Sequence, residues 1–255
     1  MNTEEEKIIE ALKTIEVPYL NSNLVDLETI KEIALSDNTW TIELEFGFPI
    51  KTYKATVEQS IVEKLKTVVE HDIRINIKQK IEARSVQKGT KPLKEIKNVI
   101  AVASGKGGVG KSTTTANLAI ALEQEGATVG VLDADIYGPS QTKMLGSQGK
   151  PDTRDGKKML PIISYNIQTI SIGNLVEEDT PMIWRGPMVT GALEQLLNET
   201  AWDNLDYLLV DLPPGTGDIQ LTLCQKIPVS GAVIVTTPQD IALLDAKKAL
   251  KMFEK

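Results

Sequence analysis

Two kinds of hydrophobic spacing follow one another along the chain. From residue 4 to residue 82, apolar positions recur first at helical spacing, then at every second residue, and then at helical spacing again. Such changes of period indicate a small α+β domain. The predicted elements are a helix over residues 4–15, strands over 27–35 and 39–46 joined by turn residues 36–38, a helix over 56–69 and a strand over 73–77.

From residue 99 onward, short apolar runs alternate with helical stretches. A short apolar run is typical of a strand buried on both faces, and its alternation with helices predicts a mostly parallel sheet covered by helices. The predicted fold class is therefore α/β, preceded by the small α+β domain. The predicted strands are 99–103, 128–132, 207–210 and 232–235, the helices include 112–125, 188–198 and one from residue 240, and a hairpin of 159–163 with 167–172 interrupts the alternation.

Residues 83–98 separate these two parts and follow neither period. They include Gly89 and Pro92, which interrupt regular elements, and they hold five basic residues against one acidic residue. We therefore predict a first domain over 1–82, a basic linker over 83–98 and a second domain over 99–255. The linker charges are interpreted as a solvated tether, and contact with nucleic acid or with the acidic flanking domains is the alternative.

Composition narrows the class of protein. The 255 residues are 41% hydrophobic and 25% charged, which is typical of a soluble globular chain. The formal charge of -7 disfavours nucleic-acid binding, and the sequence shows neither a signal peptide nor an apolar run of membrane-spanning length. We therefore predict a cytoplasmic protein whose partners include no nucleic acid and no membrane. The single cysteine, Cys224, excludes an intrachain disulfide and, within one chain, a structural zinc site or an iron–sulfur cluster.

A phosphate-binding loop follows the strand predicted at 99–103. Residues 105–112 read Gly-Lys-Gly-Gly-Val-Gly-Lys-Ser and fit the pattern G-x-x-x-x-G-K-[ST] at every defined position. In this pattern the backbone N–H groups converge on phosphate oxygens, Lys111 reaches the terminal phosphates and Ser112 gives its hydroxyl to Mg²⁺. The predicted nucleotide-binding residues are Gly105, Lys106, Gly107, Gly108, Val109, Gly110, Lys111, Ser112 and Thr113.

The loop carries a second lysine, Lys106, near its start. This lysine lies on the far side of the loop from the phosphates that Lys111 grips. It could neutralise phosphate charge across a dimer interface, as an arginine finger does in trans. We therefore include Lys106 with Lys111 among the catalytic candidates, and a solvated lysine is the alternative.

Three aspartates follow predicted strands. Asp133 and Asp135 end the second strand of the sheet, and Asp211 ends the third. Ligands of open α/β sheets bind beyond the carboxyl ends of the strands, and carboxylates there suit Mg²⁺. We predict that Asp211 holds Mg²⁺ or its water shell with assistance from Asp133, and that Asp135 orients the attacking water. Helix caps or turn formers are the alternative for all three.

The glycine-rich segment 213–217 is predicted to be a switch loop ordered by nucleotide.

These motifs resemble those of a known group of ATPases. Lys106 with Lys111 resembles the deviant Walker A motif of the MinD/ParA class. Residues 133–140, 184–188 and 211–218 are similar to phrases of the Mrp/ApbC family of iron–sulfur carrier ATPases. Residues 4–82 resemble, more loosely, the MIP18-like iron–sulfur assembly domain that often precedes it, although Val17-Pro18 stands where that domain has Asp-Pro. Arg185 would contact the partner or the nucleotide, or form a surface salt bridge.

The resemblance implies a homodimer that binds ATP, hydrolyses it slowly and passes a [4Fe–4S] cluster from a scaffold to recipient apoproteins. In that family a Cys-x-x-Cys pair near the C-terminus holds the cluster. This chain has no such pair, so its iron–sulfur ligands are predicted to be none, and the C-terminal part is expected to be missing. Cys224 is interpreted as a buried small hydrophobe.

Two other functions share the same loop and carboxylates. One is a MinD/ParA-like positioning ATPase that acts on membrane or DNA. The other is a non-catalytic module in which nucleotide only fixes a dimer. The choice of ATP over GTP rests on the resemblance alone.

Overall fold

The computed structural model describes residues 3–87, 89–154, 156–175 and 186–254. The chain divides into two compact units. The first comprises residues 1–82 and 124–126, and the second comprises residues 83–123 and 127–255.

The first unit is a three-stranded sheet with two helices. Its sheet has the order β3-β4-β5, with β3 antiparallel and β5 parallel to β4. The unit is therefore α+β. The elements are α1 (Thr3–Leu12), β1 (Glu16–Val17), β2 (Ser22–Asn23), β3 (Ile30–Ser36), β4 (Thr39–Phe46), α2 (Lys54–Leu65) and β5 (Asp72–Gln79).

Strand β4 shows why this unit folds as its sequence predicts. Every second side chain is buried, and these are Trp40, Ile42, Leu44 and Phe46. They form one core with apolar residues of the two helices. The turn before β4 is formed by Asp37 and Asn38, both at positive φ, which short polar residues tolerate in hairpin turns.

The second unit contains a six-stranded sheet in the order β10-β11-β7-β12-β6-β13. All of its strands except β10 run parallel. Together with the covering helices, this is the predicted α/β class. The elements are β6 (Ile96–Ala103), α3 (Lys111–Gln124), β7 (Val129–Asp133), α4 (Gln141–Met144), β8 (Thr153–Arg154), β9 (Lys158–Met159), β10 (Ile162–Ser164), β11 (Ile167–Ser171), α5 (Gly186–Glu199), β12 (Leu205–Asp211), α6 (Asp218–Lys226), β13 (Gly231–Ile234) and α7 (Asp240–Phe253).

Most element boundaries differ from the sequence prediction by a few residues, and two of the differences change which sheet or segment residues belong to. The predicted strand 159–163 is divided: Met159 pairs with Thr153 in a separate two-stranded sheet, and only Ile162–Ser164 pairs with β11. Pro161 lies between the two pieces and has no N–H to donate to a ladder. Strand β6 begins at Ile96, so the end of the predicted linker belongs to the sheet. In the described residues, no helix combines the length and apolar content needed to cross a bilayer.

Candidate functional site

The carboxyl ends of three neighbouring strands meet at one edge of the sheet. Strand β12 lies between β6 and β7, and Asp211 at its end is the register partner of Asp133 at the end of β7. Strand β6 leads into the phosphate loop, and α3 begins at Lys111. The topology therefore brings the loop and the aspartates of two strands to the same place.

The phosphate loop forms one wall of a cleft of about 240 Å³. Its backbone reaches positive φ at Gly108 (74°) and Gly110 (90°), which glycine adopts without steric cost. Gly105 is required for another reason: a Cβ there would lie 2.5 Å from the carbonyl carbon of Asp245 in α7. The residues lining the cleft include Gly107, Lys111, Ser112, Thr113, Asp135 and Ser140.

Lys111 is the central cation of the site. Its Nζ lies 2.5 Å from Oδ1 of Asp211 and 3.4 Å from Oδ2 of Asp135. It also lies 3.3 Å from Oγ of Ser112. The lysine is 6% exposed and Asp211 is fully buried, so the ammonium neutralises carboxylates in a place that excludes water.

Asp133 is held by the protein rather than facing the cleft. Its Oδ1 accepts a hydrogen bond from the Asp135 N–H, and its Oδ2 accepts bonds from the Gln141 N–H and the Ser171 hydroxyl. Burial, and then the neighbouring Asp211, raise the pKa of Asp133 to about 7. With three hydrogen bonds on its two oxygens, Asp133 fixes the chain after β7.

Asp135 has an unused oxygen. Burial raises the pKa of its carboxyl, and the Lys111 ammonium opposes that rise. In the described structure its Oδ1 is buried and has no hydrogen-bond partner. The same holds for Ser104 Oγ and Ser140 Oγ in the same cleft. Buried polar atoms in proteins are nearly always paired, so these atoms are available to a polar ligand.

The donor set suits Mg²⁺ with a phosphate ligand. Among the described residues, no group of three or more His, Cys, Asp or Glu side chains could hold a metal ion by themselves. Mg²⁺ keeps several waters and uses one or two protein oxygens together with substrate phosphates. The Ser112 hydroxyl and the Asp211 carboxylate offer two such oxygens. Both lie within hydrogen-bonding distance of the Lys111 Nζ, so they are close to each other.

Lys106 differs from Lys111 in its surroundings. Its side chain is exposed, and within the described ranges it makes no ion pair and no side-chain hydrogen bond. The structure therefore does not bring Lys106 into the cluster formed by Lys111, Asp135 and Asp211. Arg185, which the sequence suggested as a contact, and Trp184 lie outside the described residues.

The predicted switch loop is joined to the phosphate loop. The N–H of Gly215 donates to the Ser104 carbonyl at 2.8 Å. The Gln220 side chain donates to the Pro214 carbonyl at 2.8 Å and so holds the loop from α6. Residues 213–217 are therefore hydrogen-bonded to the residue that precedes the phosphate loop and to α6.

Sequence reasoning missed two residues that complete the site. The Thr115 hydroxyl lies 3.3 Å from Oδ1 of Asp211 and 3.0 Å from the Lys111 carbonyl, and its position one helical turn after Lys111 is a signal that could have found it. Gln141 donates to Oδ2 of Asp211 at 2.8 Å. As a neutral residue beyond the loop, Gln141 carries no comparable signal.

Cys224 lies away from this chemistry. It is 2% exposed, and burial raises the pKa of its thiol to about 12. A thiol that stays protonated is a poor metal ligand, as expected for a small residue packed in the core.

Two family models match the chain. Residues 95–255 match the family described as NUBPL iron-transfer P-loop NTPase. Residues 5–77 match the family described as iron-sulfur cluster assembly protein.

Curated relatives and a solved structure are similar to the same parts. The iron-sulfur cluster carrier protein of Escherichia coli K12 is 50% identical over 246 residues, which cover 96% of this chain and 67% of the relative. The protein of that name from Pseudomonas fragi is 63% identical over 165 residues, which cover 64% of this chain and 58% of the relative. A nucleotide-binding protein of Archaeoglobus fulgidus, solved in complex with ADP, superposes with a TM-score of 0.55 at 42% identity, covering 63% of this chain and 62% of that one.

Proposed function

This chain belongs to the NUBPL iron-transfer P-loop NTPase family, and from that premise we propose that it binds ATP with Mg²⁺, hydrolyses ATP slowly, and acts as a homodimer that carries [4Fe–4S] clusters to apoproteins. The resemblance read from the sequence motifs is confirmed by the family models and the curated relatives. One observation carries the ATPase half of the proposal: Lys111 joins Ser112, Asp135 and Asp211 at the phosphate loop.

The phosphate loop and α3 bind the nucleotide phosphates. N–H groups from Gly105 to Thr113 surround the phosphate oxygens, and the N-terminal end of α3 adds its positive potential. Lys111 exchanges its carboxylate partners for terminal phosphate oxygens. Ser112 and Asp211 would hold Mg²⁺, with Asp133 fixing the chain beside them, and the ion would supply charge neutralisation at the phosphates.

Asp135 orients the attacking water. Its buried Oδ1 has no partner in the described structure, and its raised pKa suits a group that accepts a proton. The water oxygen forms a bond to the terminal phosphorus while the bond to the bridging oxygen breaks. The products are ADP and phosphate, and the proton of the water passes through Asp135 to phosphate.

The cluster half of the proposal rests on the names of the relatives. Cys224 is too buried, and the pKa of its thiol too high, to serve as a cluster ligand. We therefore assign no cluster ligand to a residue of this chain and derive no step through the cluster. The proposed partners are an iron–sulfur scaffold and recipient apoproteins in the cytoplasm. The proposed domains are residues 1–82 and 99–255, and residues 96–98 of the connecting segment 83–98 already belong to β6.

Phosphate release with Mg²⁺ and ATP tests the ATPase half. We expect slow turnover by the wild type and a loss of at least about a hundredfold in Lys111→Ala and in Asp135→Ala. Lys111→Ala also loses nucleotide affinity, while Asp135→Ala keeps it. Nucleotide binding without turnover in the wild type would favour the non-catalytic dimerisation module, and wild-type turnover in both variants would contradict the assigned roles.

Anaerobic reconstitution of the full-length protein with iron and sulfide tests the cluster half. The expected result is a [4Fe–4S] absorbance spectrum and transfer to a recipient apoprotein, with Cys224→Ala behaving as the wild type. Absence of both spectrum and transfer contradicts this half and leaves the ATPase half standing. ATP-dependent cosedimentation with liposomes or DNA would instead support a positioning ATPase.

A further inference from the structure

Gln141 is the residue at which the parts of the site converge. It is the first residue of α4 and is 1% exposed. Its backbone N–H donates to Oδ2 of Asp133 at 3.0 Å. Its side-chain Nε2 donates to Oδ2 of Asp211 at 2.8 Å and to the Ser112 carbonyl at 2.9 Å. The backbone and side chain of this one residue therefore join the ends of β7 and β12 to the first turn of α3.

The surroundings of this amide fix its orientation. A carboxylate oxygen and a carbonyl oxygen can only accept hydrogen bonds, so the atom between them must be the donor Nε2. The other amide atom, Oε1, is then an acceptor that is buried and has no partner within the described structure. A buried acceptor without a partner costs free energy, which a water molecule or a ligand donor would recover.

Asp211 depends on this amide when nucleotide is present. Its Oδ1 accepts a hydrogen bond from Lys111, and its Oδ2 accepts one from Gln141. The Thr115 hydroxyl lies 3.3 Å from Oδ1, but its single proton is nearer to the Lys111 carbonyl, at 3.0 Å. In the proposed function, Lys111 moves to the phosphates. The Gln141 amide then remains to hold a fully buried carboxylate in one orientation.

We propose that Gln141 is a positioning residue for Mg²⁺–nucleotide binding, an inference that rests on the proposed ATPase function. Its Nε2 fixes the Asp211 carboxylate against the phosphate loop. Gln141 itself touches neither the phosphates nor the attacking water. Residues of this kind, which orient a metal ligand from outside, are commonly worth about tenfold or more in metal affinity.

The test uses Gln141→Met and Gln141→Leu, which remove the amide and put an apolar side chain of similar volume in its place. Binding of a fluorescent ATP analogue is titrated at increasing Mg²⁺ and, separately, in EDTA. We expect the half-saturating Mg²⁺ concentration to rise about tenfold in both variants, with binding in EDTA unchanged. Lys143→Met, an exposed position two residues on in α4, is the matched control and should behave as the wild type.

The outcomes separate a positioning role from a packing role. A loss of affinity that is equal in EDTA and in Mg²⁺ would show that Gln141 only supports the fold, as would wild-type Mg²⁺ dependence in both variants. Thermal unfolding without nucleotide reports whether each variant folds. A wild type that binds Mg²⁺–ATP without hydrolysing it removes the proposed activity but leaves this binding test intact, whereas a wild type that binds no nucleotide overturns both proposals.

Discussion

The Lys111 ammonium lies 2.5 Å from Oδ1 of Asp211, and the two side chains are 6% and 0% exposed. One strand and one helix supply this contact, because Asp211 ends β12 and Lys111 starts the helix that follows the neighbouring strand β6. Neither charge can be solvated where it lies. Each is therefore tolerated because the other is present, and the lysine that we propose for phosphate binding also stabilises the nucleotide-free fold.

Replacing Lys111 with methionine should destabilise the protein as well as inactivate it. The substitution keeps most of the packing and leaves Asp211 without its cation. We expect the free energy of unfolding to fall by about 3 kcal/mol in urea titrations without nucleotide. Lys106→Met is the control from the same loop: because Lys106 is exposed, its change should stay within about 0.5 kcal/mol. Equal stabilities for the two variants would contradict this account.

Gly105→Ala should be costly although alanine is small. The new Cβ would meet the Asp245 carbonyl carbon at 2.5 Å, and backbone atoms cannot rotate away. We expect a loss of about 1–3 kcal/mol in stability and weaker nucleotide binding, because the loop or α7 must shift. Gly107→Ala is the matched control for stability, since its nearest neighbour would be Pro214 Cγ at 4.0 Å. A stable Gly105→Ala variant would show that α7 yields to the loop.

Asp133 should give the nucleotide-free protein a characteristic pH dependence. Its pKa is raised from 3.8 to about 7 by burial and by Asp211, so between these values the folded state binds more protons than the unfolded state. The contribution of Asp133 to stability is therefore full at low pH and is lost as pH rises toward 7.

The Asp133→Asn variant isolates this contribution. Its free energy of unfolding, relative to the wild type, should increase between about pH 5 and about pH 7.5, whatever constant offset the lost hydrogen bonding adds. Urea titrations without Mg²⁺ and nucleotide measure the difference. A difference that stays constant over this range would show that Asp133 is ionised at all these pH values.

The sequence predicted the parts of the site that follow from local pattern. Hydrophobic runs ending in aspartate locate Asp133 and Asp211, and the rule that parallel strands end at one edge brings them together. The turn-forming residues 36–38 between two predicted strands likewise predicted the hairpin turn, in which Asp37 and Asn38 have positive φ.

The remainder depends on tertiary contacts that no local pattern reveals. The close approach of Gly105 to Asp245 joins residues far apart in the sequence, and a glycine in a phosphate loop already has a reason to be there. The Gln141 side chain is neutral and lies in a four-residue helix, which is too short to show a hydrophobic period in the sequence. The apolar residues 159–163 predict one continuous strand. In the structure only Ile162–Ser164 pairs with β11, and Pro161, which has no N–H to donate, lies just before it.

Lys106 should act on the nucleotide of a partner chain. It is exposed, and it has no ion pair or side-chain hydrogen bond in the part of the chain that is described, while Lys111 fills the role of the lysine within its own site. We expect Lys106→Ala to lower turnover about a thousandfold, as loss of a group acting in trans does, with nucleotide affinity nearly unchanged.

Mixing Lys106→Ala chains with Asp135→Asn chains then provides the decisive measurement. In a mixed dimer, one site has its own Asp135 and receives Lys106 from the partner, so random mixing should restore about a quarter of wild-type phosphate release. Each variant alone should remain inactive. If the mixture is no more active than its components, Lys106 acts within its own chain or has no catalytic role.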